Sequence, residues 1–302
     1  EKECMSSMIR NFYWKIYEKK WSVLSTISPE LATKMHFKRV FKRPLDLKNP
    51  ITFNEKLQWL KLNTYYNNPL ITQCADKYAV REYISKRGCS EILNDLIGVY
   101  DAFNEINWDE LPEKFALKVN HGCGYNLICT DKKKLSYKEV KKTVDKWMES
   151  DYWKRRAEVN YKYISPKIII EKYIETDEGV LPEDYKFYCF DGRVPYVMLC
   201  VGRENGHAKY YIFDRDWKVM PFSQDALNIS KDKLPKKPDG IDELFEYAEK
   251  LSEGFPFVRT DLYFINGKVI FGELTFTPGG ALDTDLQQGD IVMGEMIDLK
   301  GL

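Results

Sequence analysis

Two acidic residues near the C-terminal end of the chain are placed where they could hold a metal ion. Asp261 and Glu273 lie in strand-like segments, 257–265 and 268–275, which Asn266-Gly267 joins. These residues suit a three-residue loop, a type I turn with Gly267 in the left-handed conformation as a bulge. That loop pairs Arg259 with Glu273 and Asp261 with Phe271. It places four side chains on one face of the hairpin: Arg259, Asp261, Glu273 and Thr275.

Two carboxylates on one sheet face repel each other unless a cation lies between them. Carboxylate oxygens are hard ligands, and they select Mg²⁺ or Mn²⁺. The hairpin therefore indicates a divalent metal site beside Arg259. The alternative is a surface hairpin with ordinary charge pairs.

Three lysines strengthen the indication of an anionic ligand. Lys118 ends an apolar strand just before His121-Gly122-Cys123-Gly124, a turn whose backbone N–H groups could cover phosphates. Lys186 lies between apolar residues, where a partly buried charge needs an anion, and Lys77 follows Asp76 at the start of a predicted helix. Each lysine alone is more typical of a solvated surface. Together with the carboxylate pair and Arg259, they describe what a nucleoside triphosphate with Mg²⁺ needs.

The charges of the 302 residues are balanced but unevenly distributed. Lys plus Arg and Asp plus Glu both number 46, which excludes a general attraction to nucleic acid. Residues 1–50 carry eleven basic against five acidic residues, whereas residues 239–302 carry four against thirteen. The basic N-terminal stretch could touch an anionic partner such as a polysaccharide or phospholipid head groups. Seven Cys without a C-x-x-C pair indicate neither a disulfide framework nor a zinc site, and they favour a reducing cytoplasm.

Periodicity and capping signals predict the elements that must position these residues. A capping box of Thr52 and Glu55 opens a helix over 53–62. The other predicted helices span 10–24, 28–43, 76–87, 136–150 and 241–252. The predicted strands span 97–100, 115–119, 127–130, 167–174, 185–190, 193–201, 209–213, 257–265 and 268–275. The fold class is α+β, with antiparallel sheets dominating the C-terminal half.

The order of these motifs resembles the TupA-like ATP-grasp family, which is found with teichuronopeptide and capsular polysaccharide synthesis. The resemblance rests on six segments: 52–60, 75–83, 117–124, 170–174, 183–187 and 273–280. It implies an ATP-grasp fold, two α+β subdomains gripping ATP, with a helical N-terminal extension. The implied parts are the extension (1–50), an N-terminal subdomain (51–110), a central lid (111–172) and a C-terminal metal- and ATP-binding subdomain (173–302).

The resemblance also assigns roles to residues. Lys77, Lys118 and Lys186 would contact the ATP phosphates, under a loop containing His121, Gly122 and Gly124. A hinge of Glu171, Lys172, Tyr173 and Ile174 would read adenine, and Glu178 would take the ribose hydroxyls. Asp261 and Glu273 would bind Mg²⁺ or Mn²⁺, and Arg259 and Lys118 would be catalytic. The family's metal motif has Asn two residues after the Glu, where this chain has Thr275, which supplies one neutral oxygen.

The implied activity is that of an ADP-releasing carboxylate–amine ligase that forms an amide through an acylphosphate. The expected partners are a carboxylated, uronic-acid sugar of a surface polysaccharide or its precursor and an amino acid or small amine, with no nucleic acid. The expected location is the cytoplasm, with peripheral contact at the inner face of the membrane. One alternative is a glycosyltransferase, because Asp214-Arg215-Asp216 and Asp283-Thr284-Asp285 match the D-x-D pattern. The other is a non-catalytic nucleotide- or glycan-binding module.

Overall fold

Two antiparallel sheets and a set of helices make up the described part of the chain. The structure, a computed structural model, describes residues 16–176, 182–202 and 208–302. Its mixture of helices with separate antiparallel sheets confirms the α+β fold class. No helix among the described residues is long and apolar enough to span a bilayer.

The helices lie mainly at the N-terminal end and around the C-terminal sheet. Their bounds are α1 (16–27), α2 (Pro29–Phe41), α3 (Phe53–Leu62), α4 (Pro69–Ala75), α5 (Val80–Lys86), α6 (Tyr137–Met148), α7 (Gln224–Leu227), α8 (Ile241–Ser252) and α9 (Gly289–Glu295). The capping box is confirmed, because the Thr52 hydroxyl accepts from the Glu55 N–H while the Glu55 carboxylate accepts from the Thr52 N–H. These contacts satisfy N–H groups that have no partner within the helix.

The first sheet contains four short strands. They are β1 (Leu96–Tyr100), β2 (Phe115–Val119), β3 (Asn126–Cys129) and β4 (Ile168–Lys172), in the order β1-β4-β2-β3. Val140 and Val144 of α6 pack into the same apolar cluster as Leu117 and Ile170. This small core supports the strand that carries Lys118.

The second sheet is larger and forms the main core. Its strands are β5 (Asp184–Phe190), β6 (Arg193–Val201), β7 (Lys209–Asp214), β8 (Val258–Ile265) and β9 (Lys268–Thr275), in the order β7-β6-β5-β8-β9. Buried side chains of α3, α5 and α8 join one cluster with those of this sheet. The subdomain boundaries stay predictions, but β1 precedes residue 111 and still pairs with β4.

Two predicted helices differ from the structure by more than two residues at one end. The helix predicted over 76–87 is α5, and residues 76–79 form a turn before it. The Asp76 carboxylate accepts from the N–H groups of Tyr78 and Ala79, as an N-cap residue does, and it stabilises the turn that leads into α5. The helix predicted over 10–24 extends to residue 27, and residues 1–15 lie outside the described chain.

Candidate functional site

The β8–β9 hairpin brings the two predicted metal ligands together, although not by the predicted turn. Asn266 and Gly267 both have positive φ, 52° and 73°, and Ile265 pairs with Lys268. The turn therefore has two residues, and the predicted pairs of Arg259 with Glu273 and of Asp261 with Phe271 are wrong.

A two-residue turn alone would place Asp261 and Glu273 on opposite faces of the hairpin, and a bulge at Gly272 returns them to one face. Leu262 pairs with Phe271 but Asp261 pairs with Glu273, so Gly272 is the extra residue. Arg259 then lies opposite Thr275. Directly opposed residues share a face, so all four side chains lie on one face as expected. A Cβ at Gly272 would lie 2.8 Å from the Asp261 carbonyl oxygen, which explains glycine at this position.

Arg259 connects the polar groups on this face. Its Nε and Nη2 donate to the two oxygens of Asp261, at 2.7 Å and 2.6 Å. Nη2 also lies 3.4 Å from Glu273 Oε1 and 3.2 Å from Thr275 Oγ1. The Thr275 hydroxyl donates to Glu273 Oε1 at 2.8 Å. One guanidinium thus holds both carboxylates, with a bidentate bond to Asp261.

The two carboxyl groups have different acidities. Burial raises the pKa of Asp261, although Arg259 and Lys186 oppose this change. Burial also acts to raise the pKa of Glu273, but Lys77, Arg259 and Lys186 together lower it to about 2. Glu273 is therefore ionised at neutral pH and is available as an anionic oxygen ligand.

Lys186 lies beside this pair on the neighbouring strand. The β5–β8 register places it opposite Asp261, and its Nζ lies 2.8 Å from Asp261 Oδ2. It also donates to Asp184, two residues away on the same strand. Burial acts to lower the pKa of Lys186, but Asp261 and Asp184 raise it. Two carboxylates of the protein therefore neutralise Lys186, and the sequence analysis missed one of them, Asp184. The contact of Lys186 with a phosphate stays a prediction.

Lys77 approaches the same face from the turn before α5. Its ammonium donates to the carbonyl oxygen of Gly122, in the loop between β2 and β3. Burial lowers the pKa of Lys77, against an opposing attraction from Glu273. This lysine therefore lies between the loop of the first sheet and a carboxylate of the second.

The loop itself is held by buried groups. His121 is buried, with Nε2 2.9 Å from the Ser150 carbonyl oxygen, and burial lowers its pKa. Asn120 is fully buried and donates to the Asp76 carboxylate at 2.9 Å and to the Ser165 carbonyl at 3.0 Å. Asn120 thereby fixes the Lys77 turn against the loop. In the sequence, Asn120 was indicated only by its position within the segment 117–124.

A second polar cluster lies where the hinge was predicted. Lys118 Nζ lies 2.6 Å from Glu171 Oε2, and Arg81 Nη1 lies 3.5 Å from Glu171 Oε1. The buried Glu171 is thus matched by two cations, one of which, Arg81, the sequence analysis missed.

A pocket of about 170 Å³ opens beside this cluster, between the two sheets. Its lining includes Lys118, the segment 171–174, Ile128 from β3 and Tyr263 from β8. Its walls are partly apolar, as a planar ring would require. The backbone of Lys172 is already paired, since its N–H donates to the Asp95 carbonyl and its carbonyl oxygen accepts from the Asn94 amide. Glu178, the predicted ribose ligand, lies outside the described residues.

The aspartates of both D-x-D segments accept hydrogen bonds from backbone N–H groups. Asp283 Oδ1 accepts from the Asp285 N–H at 2.9 Å, and Asp285 Oδ1 accepts from the Gln224 N–H at 3.3 Å. Asp214 Oδ1 accepts from the N–H groups of Asp216 and Lys218. These contacts are typical of turns that side-chain oxygens stabilise.

The sequence model of the TupA-like ATPgrasp family matches residues 55–298, most of the chain. The chain belongs to the TupA-like ATP-grasp family. The ATP-grasp fold that the motifs implied is therefore confirmed. No curated protein matches the chain at a significant level.

Solved structures of ligases are similar to this TupA-like protein at low sequence identity. The D-alanine–D-alanine ligase of Bacillus anthracis, complexed with ATP, is 17% identical, with a TM-score of 0.45 over 76% of this chain and 66% of the ligase. The L-amino acid ligase of Bacillus licheniformis is 13% identical, with a TM-score of 0.45 over 76% of this chain and 49% of that one. The Helicobacter pylori D-alanine–D-alanine ligase is 16% identical, with a TM-score of 0.41 over 74% and 61%. The TupA-like chain spans less than two thirds of the length of each.

The donor set of the TupA-like site fits a divalent cation bound together with phosphates. The described residues contain no group of three or more His, Cys, Asp or Glu side chains that could hold a metal by itself. Asp261, Glu273 and the Thr275 hydroxyl supply hard oxygens, and Mg²⁺ usually completes its shell with phosphates and water. Asp261 Oδ1 accepts one bond, from Arg259, and keeps a second lone pair for a metal, whereas Oδ2 already accepts from both Arg259 and Lys186.

Proposed function

We propose that this protein is an ATP-dependent carboxylate–amine ligase that releases ADP and forms an amide through an acylphosphate. The observation that carries the proposal is the single face of the hairpin, where Asp261 and Glu273 lie among three cations, Arg259, Lys186 and Lys77. Two carboxylates suit a Mg²⁺ ion, and the three cations suit the negative charge of a triphosphate.

The reaction is written in two steps. A substrate carboxylate oxygen attacks the γ-phosphorus in line, the bond to the β-phosphate oxygen breaks, and ADP leaves. An amine then attacks the acyl carbon, loses a proton and expels inorganic phosphate. No protein nucleophile is needed, because positioning and neutralisation of charge supply most of the catalysis.

Each residue of the site has a separate role in the phosphoryl transfer, set by its position. Arg259 and Lys186 stabilise charge on the phosphoryl group in transfer, and Lys77 ties the loop at Gly122 over the phosphates. Lys118 contacts a phosphate from the first sheet, beside the hinge that receives adenine. Asp261 and Glu273, with Thr275, would hold Mg²⁺, with Mn²⁺ as the alternative ion. The metal would further neutralise the phosphates.

The proposed substrates are a uronic-acid sugar of a surface polysaccharide, or its precursor, and an amino acid or small amine. This choice is supported by the likeness of the motifs to the TupA-like group and by an aromatic content of 14%, since aromatic rings stack on sugars. Because ATP is a cytoplasmic substrate, we place the reaction in the cytoplasm.

The test measures ADP release from the whole protein with ATP, Mg²⁺, a panel of uronic acids and a panel of amines. ADP release that needs both a carboxylate and an amine supports the ligase. Glu273→Gln should lower turnover about 100-fold or more, because the site loses one anionic ligand. Glu246→Gln, an exposed position on α8, is the matched control and should keep full activity.

Two outcomes would overturn the proposal. Release of UDP or GDP from a sugar nucleotide without ATP would identify a glycosyltransferase. Binding of ATP without ADP release for any substrate pair, in a well-folded protein, would identify a binding module.

A further inference from the structure

The first two helices expose an apolar surface, which we name the N-terminal face. It consists of Ile16, Val23, Ile27, Leu31 and Met35, whose exposed fractions are 51%, 50%, 76%, 48% and 37%. Positions 16, 23 and 27 recur at helical spacing along α1, and 31 and 35 do so on α2. These residues line or adjoin a shallow groove between the two helices.

The opposite sides of the same helices are already packed on the protein. Trp21 and Phe37 are buried, and the buried Ser25 donates to the Lys154 carbonyl oxygen at 2.8 Å. A surface helix usually turns its second side to water with polar residues. Here both sides of the helices are apolar. One side packs on the protein's own core, so the N-terminal face is suited to contact with a separate apolar environment.

Lysines surround and extend this face. Lys19 and Lys20 line the groove, and Lys38 follows Met35 at i+3 spacing on α2. Lys42 is the left-handed residue that ends this helix. Residues 16–43 carry seven Lys or Arg and two Glu, a net charge of +5 in a chain whose net charge is 0. The exposed apolar residues therefore lie within the basic part of the molecule.

We propose that the N-terminal face binds the surface of a bilayer that contains anionic phospholipids. Aliphatic side chains with flanking lysines match an acyl boundary beneath phosphate head groups. Lysine is suited to the boundary between acyl chains and head groups, because its aliphatic stem stays in the apolar layer while its ammonium reaches the phosphates. The same composition argues against a protein partner, since lysine is depleted at protein–protein interfaces. The exposed aliphatic side chains argue against a glycan, which is bound by polar and aromatic groups. This proposal does not depend on the ligase activity.

The experiment measures flotation of the whole protein with two kinds of vesicle, phosphatidylcholine alone and phosphatidylcholine with phosphatidylglycerol. Val23→Ser with Ile27→Ser removes the centre of the face and should weaken binding to the anionic vesicles about tenfold or more. The matched control is Ile51→Ser with Leu227→Ser, two apolar side chains that are equally exposed elsewhere.

A second pair of variants tests the charge. Lys19→Gln with Lys20→Gln should weaken binding about fivefold per lysine and reduce its sensitivity to salt. Lys133→Gln with Lys138→Gln, exposed on the first sheet's side, should leave binding unchanged. Unchanged thermal unfolding of each variant shows that a loss is not caused by misfolding.

Binding of the wild type to the anionic vesicles, with losses confined to the N-terminal variants, supports the proposal. Equal binding to neutral vesicles, equal losses in the control variants, or no binding to anionic vesicles would each overturn it. In the last case, a dimer in sedimentation that Val23→Ser and Ile27→Ser dissociate would identify a second copy as the occupant. Lysine-dependent binding to soluble polygalacturonate would instead identify a glycan.

Discussion

Replacement of Gly272 by Ala tests whether the β9 bulge sets up the site. The added Cβ would lie 2.8 Å from the Asp261 carbonyl oxygen and 3.3 Å from a ring carbon of Tyr263. Carbon and oxygen atoms in ordinary contact are at least about 3.4 Å apart, so the strands must separate by roughly half an ångström. Overpacking of this kind costs about 1–3 kcal/mol, and we expect a loss of stability in this range.

The effect on turnover should be larger than the effect on stability. The strained contact is at Asp261 itself, and Gly272 is bonded to Glu273, so the shift displaces both carboxylates. A misplacement of about 1 Å at reacting groups costs about 100-fold in rate. We therefore expect Gly272→Ala to lower Mg²⁺-dependent ADP release between tenfold and about 100-fold while the protein remains folded.

Gly267→Ala is the matched control in the same hairpin. Gly267 has a φ of 73° and no neighbouring atom within 4 Å of an added Cβ, so the variant is strained but not crowded. The left-handed conformation costs alanine about 1 kcal/mol, which matches the lower end of the loss expected at Gly272. Urea unfolding and ADP release would be measured for both. Wild-type turnover in Gly272→Ala, or an equal loss of turnover in Gly267→Ala, would refute the assigned role of the bulge.

Two further predictions concern buried polar groups beyond the hairpin. Burial lowers the pKa of Lys61 from 10.5 to about 7, so this group binds fewer protons in the folded protein than in the unfolded chain between these values, and its own contribution to stability should rise with pH there, by up to about 5 kcal/mol. Lys61→Met should abolish that rise in urea unfolding measured across this pH range; an unchanged pH profile would contradict the lowered pKa. Asn54 is buried, and its side-chain amide donates to the Asp283 carbonyl oxygen and accepts from the Asp283 N–H. Asn54→Ala should therefore lower the free energy of unfolding by about 3 kcal/mol, measured by thermal or urea unfolding, whereas Asn63→Ala, at the exposed end of α3, should lower it by less than about 1 kcal/mol. Equal losses in the two variants would show that the Asn54 bonds contribute little.

Local signals in the sequence predicted most elements of the fold. The bounds of α3, α8, β2, β6 and β9 agree with the structure residue for residue, because caps, turn residues and apolar periodicity mark each of them. Such signals act within one turn or one strand. They also place Lys118 and Lys186 on strands, because each lysine interrupts an apolar run.

The pairing of strands depended on information that local signals do not carry. The sequence Asn266-Gly267 allows both a two-residue and a three-residue loop, and each choice implies a different register. The deciding residue, Gly272, lies five positions after the turn and acts through its close approach to Asp261. Arg81 was missed for a similar reason, because it meets Glu171 only after the chain folds. Asp184 was missed although it lies two residues from Lys186 on the same strand.

The charge network explains why the site must change its contacts when it acts. Arg259, Lys186 and Lys77 match Asp184, Asp261 and Glu273 in number, so the cluster is balanced without any ligand. A buried ion that loses its partner is strongly unfavourable, so a triphosphate at these cations would be favoured when another cation takes over the carboxylates. A divalent metal that enters with the nucleotide meets this condition, and Glu273, with its pKa near 2, is the ligand already ionised to receive it. The site is therefore suited to MgATP as one unit, and either component alone would leave part of the network unpaired.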